Sequence, residues 1–313
     1  MSALFEVRNL YKSYSAKCSV LEDISFSVER NGILCILGIN GAGKATLIKC
    51  MLGLLRSSGG KILYQNVPLH KITQKKYYKE VSAVLEGNRN TYWYLTGWQN
   101  IQYFGRQKGL SGSKLSSRAV ELLKLFDLYD SKDEKVCNYS RGMQQKLSVI
   151  ISLLMPPRVL FLDEPTLGLD FVTQRTMVEL LGEISKNVAI ILTSHHLDVV
   201  DQLADDLVLL ENKGIRYQGS AKEFKESHSS GKWTISVAGE LSDGLNFPDD
   251  ALIFSSKDIS KIIILNNDTE NFKKTMHLLL NNNAEILGVK KDSSTIEDIL
   301  LHISGGENDA RTD

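Results

Sequence analysis

The sequence has little of several features that define whole classes of protein. Its 313 residues include only five prolines and four cysteines, and its 37 basic residues are balanced by 37 acidic ones. A net charge of zero gives no overall electrostatic footprint for nucleic acid, so no nucleic-acid partner is expected. The cysteines, Cys18, Cys35, Cys50 and Cys137, form no C-x-x-C pair, which favours reduced residues of a cytosolic protein over a disulfide or metal role.

Long apolar runs are also missing from the sequence. The longest runs, such as residues 149–154 with one serine, fall far short of the ~18 residues that a membrane span needs. Residues 1–6 show no charged leader before a long apolar segment, so no secretory signal is expected. If the protein serves a membrane process, we therefore expect the spanning part to be another chain.

What the sequence does contain is a phosphate-binding loop. Residues 38–46 read GINGAGKAT, between an apolar run suited to a buried strand and apolar residues at helical spacing. In this context glycines let backbone N–H groups approach phosphate oxygens, the helix N-terminus favours anions, and Lys44 reaches the outer phosphates. The predicted nucleotide-binding residues of the loop are Gly38, Asn40, Gly41, Ala42, Gly43, Lys44, Ala45 and Thr46. Ala45 departs from the pattern, because a Ser or Thr hydroxyl normally binds Mg²⁺ from this position.

Two later strands end in polar side chains. The strand predicted over residues 159–162 delivers Asp163 and Glu164 at its carboxyl end, where α/β sheets place ligands. Because two adjacent carboxylates are costly to bury for structure alone, we assign Asp163 to Mg²⁺ and Glu164 to a general base for an attacking water. The strand predicted over residues 188–192 leads to His195 and His196. Either histidine suits a capping role, and His195 is a candidate donor to a terminal phosphate.

Two more features leave alternatives open. Tyr14 lies at the edge of a polar loop, where its ring suits either stacking on an adenine or packing on the antiparallel β layer predicted over residues 3–28. Ser140 is a predicted helix N-cap, and that helix N-terminus is either a second anion site or simply a capped end.

An aromatic-rich segment follows the strand predicted over residues 81–86, which ends at Glu86. Its aromatic residues are Tyr92, Trp93, Tyr94, Trp98, Tyr103 and Phe104. We expect them to pack in the core of a small helical subdomain, with a groove for a partner helix as the alternative. Helical patterns follow over residues 113–129.

Together the motifs resemble an ATP-binding cassette (ABC) ATPase. Tyr14, GINGAGKAT at 38–46, YSRGMQQ at 139–145, LFLDEP at 160–165, LGLD at 167–170 and TSHH at 193–196 follow the order of that family. The resemblance covers roughly residues 4–219. It is specific, because YSRGMQQ stands where the family has the LSGGQ signature that separates ABC proteins from other P-loop NTPases.

The resemblance implies an α/β P-loop NTPase fold, with a mixed sheet core, an antiparallel β layer and a helical subdomain. It implies ATP and Mg²⁺ as cofactors and favours Tyr14 as the adenine stacker. It also implies a head-to-tail dimer, in which Ser140 and Gly142 of one subunit close over the ATP held by Lys44 of the other. Gln144 belongs to the same signature and is placed with the nucleotide-binding residues.

Glu86 falls where the resemblance places a glutamine that binds Mg²⁺ and senses the transporter. We therefore assign Glu86, with Asp163, to the metal. Two positions, Ala45 and Glu86, depart from the family pattern, and both lie at the predicted Mg²⁺ site.

The predicted organisation has three parts. An ABC ATP-binding domain covers residues 1–219, with its helical subdomain at about 88–157. A small α+β C-terminal domain covers 220–304, with a linker at 227–232, and resembles the appendage found after the cassette in ATPases of many bacterial exporters. It combines strand patterns at 233–238, 252–255, 261–265 and 286–290 with a helix through Phe272 and Leu279 and a last helix after Ser294. Residues 305–313 are a predicted disordered tail.

The leading hypothesis is the ATPase subunit of a two-component ABC exporter, peripheral on the cytoplasmic face of the cell membrane. Its expected partners are a transmembrane permease subunit encoded as a separate chain and a second ATPase subunit, in a homo- or heterodimer. A soluble ABC ATPase acting on ribosomes or DNA is one alternative. The other is a nucleotide-binding regulatory subunit with weak or no turnover, which Ala45 and Glu86 suggest.

Overall fold

The computed structural model describes residues 3–15, 18–29, 31–87, 90–228, 232–239, 247, 251–255, 259–264, 269–292 and 296. Contacts between Cα atoms divide the chain into two compact units, Met1–Ala221 and Lys222–Asp313. The domain boundaries predicted above stay predictions. The predicted tail and, apart from Ile296, the predicted last helix lie outside the described residues.

The first unit combines two sheets with helices. Its strands are β1 (Phe5–Ser15), β2 (Cys18–Val28), β3 (Gly32–Leu37), β4 (Gly59–Tyr64), β5 (Val67–Pro68), β6 (Val81–Val84), β7 (Val159–Asp163), β8 (Ala189–Thr193), β9 (Asp206–Glu211) and β10 (Gly214–Ser220). Its helices are α1 (Lys44–Met51), α2 (Gln74–Glu80), α3 (Gly97–Gln107), α4 (Gly112–Leu125), α5 (Arg141–Leu153), α6 (Phe171–Ser185) and α7 (Leu197–Leu203), and α8 (Ala221–His228) follows at the boundary.

The two sheets have the predicted types. One is a four-stranded antiparallel sheet in the order β2-β1-β4-β5, and the other is six-stranded in the order β10-β9-β3-β8-β7-β6. In the larger sheet the strands from β9 to β6 are parallel and β10 runs antiparallel to β9. The mixed sheet and the antiparallel β layer confirm the predicted fold class.

The central strands of the larger sheet are almost continuously apolar, as is typical of parallel strands covered on both faces. All five residues of β7 and all five of β8 are buried. Phe161 of β7 meets Phe5 of the antiparallel layer edge-on, with 5.7 Å between ring centroids. Phe161 therefore joins the two layers within one core, two residues before Asp163.

Strand register brings the polar ends of three strands to one edge of the sheet. Thr193 at the end of β8 lies opposite Ile36 of β3 on one side and Asp163 of β7 on the other. The phosphate loop begins directly after β3, and His195 lies two residues beyond β8. The edge predicted to carry the site therefore exists.

The helical segment differs from the sequence-based expectation. Helix α3, which was not predicted, begins with a capping box between Thr96 and Gln99 and carries half of the aromatic segment. Four of the aromatic side chains are exposed and two are half-buried, so the predicted core packing is wrong. Tyr94 is 87% exposed, and Tyr92, Trp93 and Tyr103 are 43–48% exposed. We call these four residues the aromatic surface.

The buried side-chain amide of Asn100 attaches the loop that carries Tyr92 to helix α3. Asn100, with no exposed surface, accepts a hydrogen bond from the backbone of Tyr92 (2.7 Å) and donates to the carbonyl oxygens of Tyr92 (3.0 Å) and Thr96 (2.9 Å). The Tyr92 and Tyr103 rings then meet edge-on at 5.0 Å. The loop before α3 is thereby fixed to the helix.

The second unit contains the predicted strands and amphipathic helix. The strands β11 (Lys232–Ala238), β12 (Ala251–Ser255), β13 (Ile259–Ile264) and β14 (Ile286–Asp292) form an antiparallel sheet in the order β12-β13-β11-β14. Helix α9 (Thr269–Asn281) contributes Leu279 to a core with Ile235, Val237 and Ile262. The linker predicted at residues 227–232 is wrong at both ends, because residues 227 and 228 belong to α8 and residue 232 begins β11.

The strands β4, β5, β9 and β10 and the helices α2, α6, α7 and α8 were not predicted either. Among the described residues, no helix has the length and apolar character required to cross a membrane.

Candidate functional site

The phosphate loop has the backbone shape that its glycines permit. Gly38, Gly41 and Gly43 have φ angles of 153°, 87° and 100°. A Cβ atom on Gly38 would lie 2.7 Å from the Leu210 carbonyl oxygen, and one on Gly43 would lie 2.7 Å from a methyl carbon of Leu21. The loop therefore requires glycine both for its dihedral angles and for its close packing.

The lysine of the loop folds back over it. The Lys44 ammonium donates to the carbonyl oxygens of Gly38 (2.6 Å) and Ile39 (3.4 Å), and the residue is only 9% exposed. Helix α1 begins after Gly43 without a side-chain cap, so its first N–H groups keep their capacity to donate. A buried cation beside an uncapped helix N-terminus is suited to phosphate, and the binding of ATP by residues 38–46 stays a prediction.

Tyr14 lies next to this loop. Its ring is 58% exposed, and its hydroxyl is 3.3 Å from the Thr46 hydroxyl in the first turn of α1. The Lys12 ammonium lies 5.2 Å from the ring centroid. The exposure of the ring disfavours the alternative in which Tyr14 packs on the sheet, and it leaves the stacking role as a proposal.

Asp163 is buried and held by a threonine that the sequence reasoning did not single out. Thr193, which has no exposed surface, donates from its hydroxyl to Asp163 Oδ1 at 2.6 Å. The backbone N–H of Glu164 lies 3.2 Å from both oxygens of Thr193. Thr193 thus fixes both carboxylate residues at the end of β7.

Glu164 and His195 form a pair across the ends of β7 and β8. Glu164 Oε2 lies 2.8 Å from His195 Nδ1 and accepts a hydrogen bond from the His195 backbone N–H at 3.2 Å. The Glu164 side chain is 9% exposed and the His195 side chain 44% exposed. With Nδ1 engaged by the carboxylate, Nε2 is the ring nitrogen left to contact a ligand.

Glu164 also has an unusual backbone conformation. Its φ angle is +52°, in the left-handed region, where a non-glycine residue costs energy. Such residues persist only where the surrounding structure holds them, and they concentrate at functional sites. No sequence signal identifies this feature.

Glu86 and Asp163, the two carboxylates assigned to Mg²⁺, both line a small cavity of about 60 Å³. Its lining includes Glu86, Asp163 and Glu164, together with Arg141 and Gln144 from the first turn of α5. Mg²⁺ in proteins is usually held by one or two carboxylates together with substrate phosphates, and Glu86 and Asp163 fit that role. Ala45 offers the metal no side-chain oxygen.

Two of the signature residues, Ser140 and Gly142, lie in different environments. Ser140 is the predicted N-cap, because its hydroxyl accepts from the Met143 N–H at 3.2 Å. Gly142 is buried, and a Cβ there would lie 2.5 Å from Thr173 Cγ2. Neither lines the cavity that contains Glu164, and their role in ATP binding across a dimer remains a prediction.

Comparison with known proteins identifies a matching family model and several similar proteins. The family model described as ABC transporter matches residues 21–167. An uncharacterized ABC transporter ATP-binding protein, YhcH of Bacillus subtilis, is 30% identical over 309 residues, which are 97% of each chain. The doxorubicin resistance ATP-binding protein DrrA of Mycobacterium tuberculosis is 33% identical over 70% of this chain and 66% of its own length.

Other relatives are longer or solved as structures. ABC transporter A family member 12 of Arabidopsis thaliana is 36% identical over 64% of this chain, which spans only 22% of that protein. The structure of cbiO1 from Clostridium perfringens, part of the ABC transporter complex cbiONQ, superposes with a TM-score of 0.66 and 28% identity, covering 71% of this chain and 90% of that one. The chain belongs to the ABC transporter family, as one of its ATP-binding proteins.

Proposed function

We propose that this chain is the ATP-hydrolysing subunit of a two-component exporter, which dimerises on ATP and drives a separate transmembrane permease subunit. The observation that carries the proposal is the Glu164–His195 pair, 2.8 Å apart, at the sheet edge shared with Asp163 and the phosphate loop. A general base, an imidazole donor and a buried carboxylate at one strand edge are the groups that hydrolysis of the terminal phosphoanhydride bond of ATP needs.

Nucleotide binding falls to the loop, α1 and Tyr14. Lys44 exchanges its contacts with the Gly38 and Ile39 carbonyl oxygens for the outer phosphates, and the N–H groups around Gly41 and Gly43 surround the phosphate chain. Tyr14 stacks on the adenine, which for base stacking is worth about 1–3 kcal/mol.

Asp163 and Glu86 hold Mg²⁺ in this proposal. Bound with the nucleotide, Mg²⁺ neutralises charge on the outer phosphates. Thr193 orients Asp163 through its 2.6 Å hydrogen bond, so the carboxylate is fixed before the nucleotide arrives.

Glu164 orients the attacking water and accepts its proton. His195 donates from Nε2 to the terminal phosphate in its doubly protonated form, in which Nδ1–H donates to the Glu164 carboxylate. The two roles fit together, because Glu164 holds the His195 ring through Nδ1 and the backbone N–H. The left-handed backbone of Glu164 directs this side chain while its own N–H stays bonded to Thr193.

Light scattering of Glu164→Gln with saturating ATP tests the dimer. The amide keeps the size of the side chain and removes its basicity. The variant should therefore bind ATP, lose multiple turnover and accumulate as a dimer. In the proposed dimer Ser140 and Gly142 close over the partner's nucleotide, and Gln144 is the third nucleotide-binding residue proposed in the signature. A variant that stays monomeric while hydrolysing ATP normally would refute the roles given to Glu164 and to the dimer.

The partner subunit is proposed to dock on the aromatic surface. Exposed apolar patches mark protein interaction sites, and aromatic residues are enriched at such interfaces. The cbiO1 structure, which this chain resembles, is described as part of an ABC transporter complex. The chain would then be peripheral on the cytoplasmic face of the membrane, with residues 220–304 as an accessory domain.

Copurification from membranes in mild detergent, followed by crosslinking, tests this surface. Crosslinks to the membrane subunit should map within residues 88–104, of which 88 and 89 lie outside the described residues. Crosslinks confined to residues 233–304 would refute the choice of surface.

A second candidate function is a nucleotide-binding regulatory subunit with little turnover, and Ala45 is the observation that favours it. Loss of a hydroxyl contact to a charged group typically costs about 1.5–3 kcal/mol, which corresponds to roughly ten- to hundredfold weaker Mg·ATP binding. Glu86 acts in the opposite direction, because a carboxylate is a stronger Mg²⁺ ligand than an amide. We propose that the two departures partly compensate, so that the chain is active but unusually dependent on Mg²⁺.

Titration of ATP hydrolysis with Mg²⁺ in four forms separates these functions: the chain as it is, Ala45→Ser, Glu86→Gln and the double variant. Compensation requires Glu86→Gln to lower activity more in the Ala45 background than in the Ser background. Equal losses would rule compensation out, and no Mg²⁺-dependent hydrolysis in any form would favour the regulatory function.

A further inference from the structure

A half-buried lysine outside the site joins three elements of the first unit. Lys108 is the C-cap residue of α3, and its ammonium donates to the Ile151 carbonyl oxygen (3.0 Å), the Ser152 carbonyl oxygen (3.2 Å) and the Ser82 hydroxyl (3.3 Å). Burial lowers the pKa of Lys108 to about 8. A charge is seldom buried in this way without a strong local requirement.

One requirement comes from the carbonyl groups at the C-terminal end of α5. The last four carbonyl groups of a helix have no partner within it, and a cation stabilises them and the negative end of the helix dipole. Lys108 meets two of these carbonyl groups, and Arg118 of α4 donates to the Leu153 carbonyl oxygen at 3.3 Å. Among the hydrogen bonds of the described residues, Arg118 therefore caps the same helix end without reaching α3 or β6.

Lys108 also connects α5 to β6 through Ser82, and Arg118 does not make this connection. Ser82 lies on β6, the strand that leads to Glu86, and α5 begins at the signature residues around Ser140. Helix α3 carries Tyr103 and, through Asn100, fixes Tyr92 of the aromatic surface. A 13-residue helix such as α5 is about 20 Å long, so a small change of direction at its end moves its first turn.

We propose that Lys108 is a positioning residue that couples the aromatic surface on α3 to the signature helix α5 and to the strand of Glu86. The inference rests on the proposed function, since it assumes that the aromatic surface receives a partner and that the site binds ATP. The Lys108 ammonium passes movement of α3 to α5 and β6, in addition to the direct packing of α3 against α5.

Tryptophan fluorescence of the full chain tests the coupling in the absence of any partner. The change in emission on adding Mg·ATP is recorded for the wild type and for Trp93→Phe, and their difference is the signal of the aromatic surface. The wild type should show this signal. Lys108→Met, carried through the same pair of measurements, should lose it while still binding ATP in calorimetry, and Lys108→Arg should retain it.

Arg118→Met is the matched control, because it removes a cap from the same helix end and leaves the three-element contact intact. It should keep the Trp93 signal even if its stability falls as much as that of Lys108→Met. If Lys108→Met does not fold, Ser82→Ala carries the test, because it removes only the β6 contact and should reduce the signal.

The outcomes separate the two proposals. ATP binding with a full Trp93 signal in folded Lys108→Met, or in Ser82→Ala where the methionine variant does not fold, overturns the coupling role and leaves the proposed function standing. ATP binding without any Trp93 signal in the wild type does the same. No ATP binding by the wild type overturns the proposed function and this inference with it.

Discussion

Replacing Glu164 by glycine should make the protein more stable than replacing it by alanine, although both changes abolish turnover. Both variants lose the carboxylate and its contacts with His195, so the difference between them isolates the backbone. At φ +52° alanine retains the steric cost of the left-handed region and glycine does not.

The expected difference follows from two opposing terms. The left-handed conformation costs a residue with a Cβ about 1–2 kcal/mol, and glycine loses about 0.4–1 kcal/mol more than alanine in unfolded-state entropy. The glycine variant should therefore be the more stable by about 0.5–1 kcal/mol. For a unit the size of Met1–Ala221 this is a midpoint higher by about 1–4 °C.

Urea denaturation of the two variants in parallel measures the difference. Glu179 provides the matched control, because it is an exposed residue inside α6 that is paired with Arg175 at 3.2 Å and has an ordinary helical backbone. There the glycine variant should be less stable than the alanine variant by about 0.5–1 kcal/mol. The same order of stability at both positions would refute the claim that Glu164 is held in a strained conformation.

Three further predictions concern single side chains. Tyr14→Ala should weaken ATP binding by about 1–3 kcal/mol in calorimetry and Tyr14→Phe should not, and equal losses would exclude stacking. Thr193→Val should lower the free energy of unfolding by about 1–3 kcal/mol in urea, because Asp163 loses its buried donor, and an unchanged value would contradict that role. Lys108 binds its proton less tightly in the folded state, with a pKa of about 8 against an ordinary 10.5, so the unfolded chain binds more protons between these values. The stability of the wild type relative to Lys108→Met should therefore rise by about 3 kcal/mol from pH 8 to pH 10.5, and a flat difference would contradict the burial of a charged ammonium.

The sequence was most informative where a function and a local pattern coincide. The glycines of the loop, the apolar run before Asp163 and the N-cap at Ser140 are each specified within a few residues, and the structure has each of them in the predicted element. Strand ends could be expected to meet because parallel strands share a carboxyl edge.

The rest depends on contacts between residues far apart in the chain. The Thr193–Asp163 hydrogen bond spans 30 residues, and the Lys108 contact with Ile151 spans 43. The hydrophobic periodicity of a segment does not indicate which distant residues it will contact. The aromatic segment was assigned to a core for a related reason, since Tyr92, Trp93 and Tyr94 are consecutive and their hydrophobicity does not tell which side of a subdomain they face.

Phosphate release by the purified chain at saturating Mg·ATP tests the central claim most directly, with Glu164→Gln as the comparison and ATP binding measured for both. The wild type should release many phosphates per chain, and Glu164→Gln should bind ATP but release phosphate at a steady rate lower by roughly 10²–10⁴-fold, as expected for loss of a general base. Turnover by Glu164→Gln at the wild-type rate, or no Mg²⁺-dependent release by a wild type that binds ATP, would contradict the account.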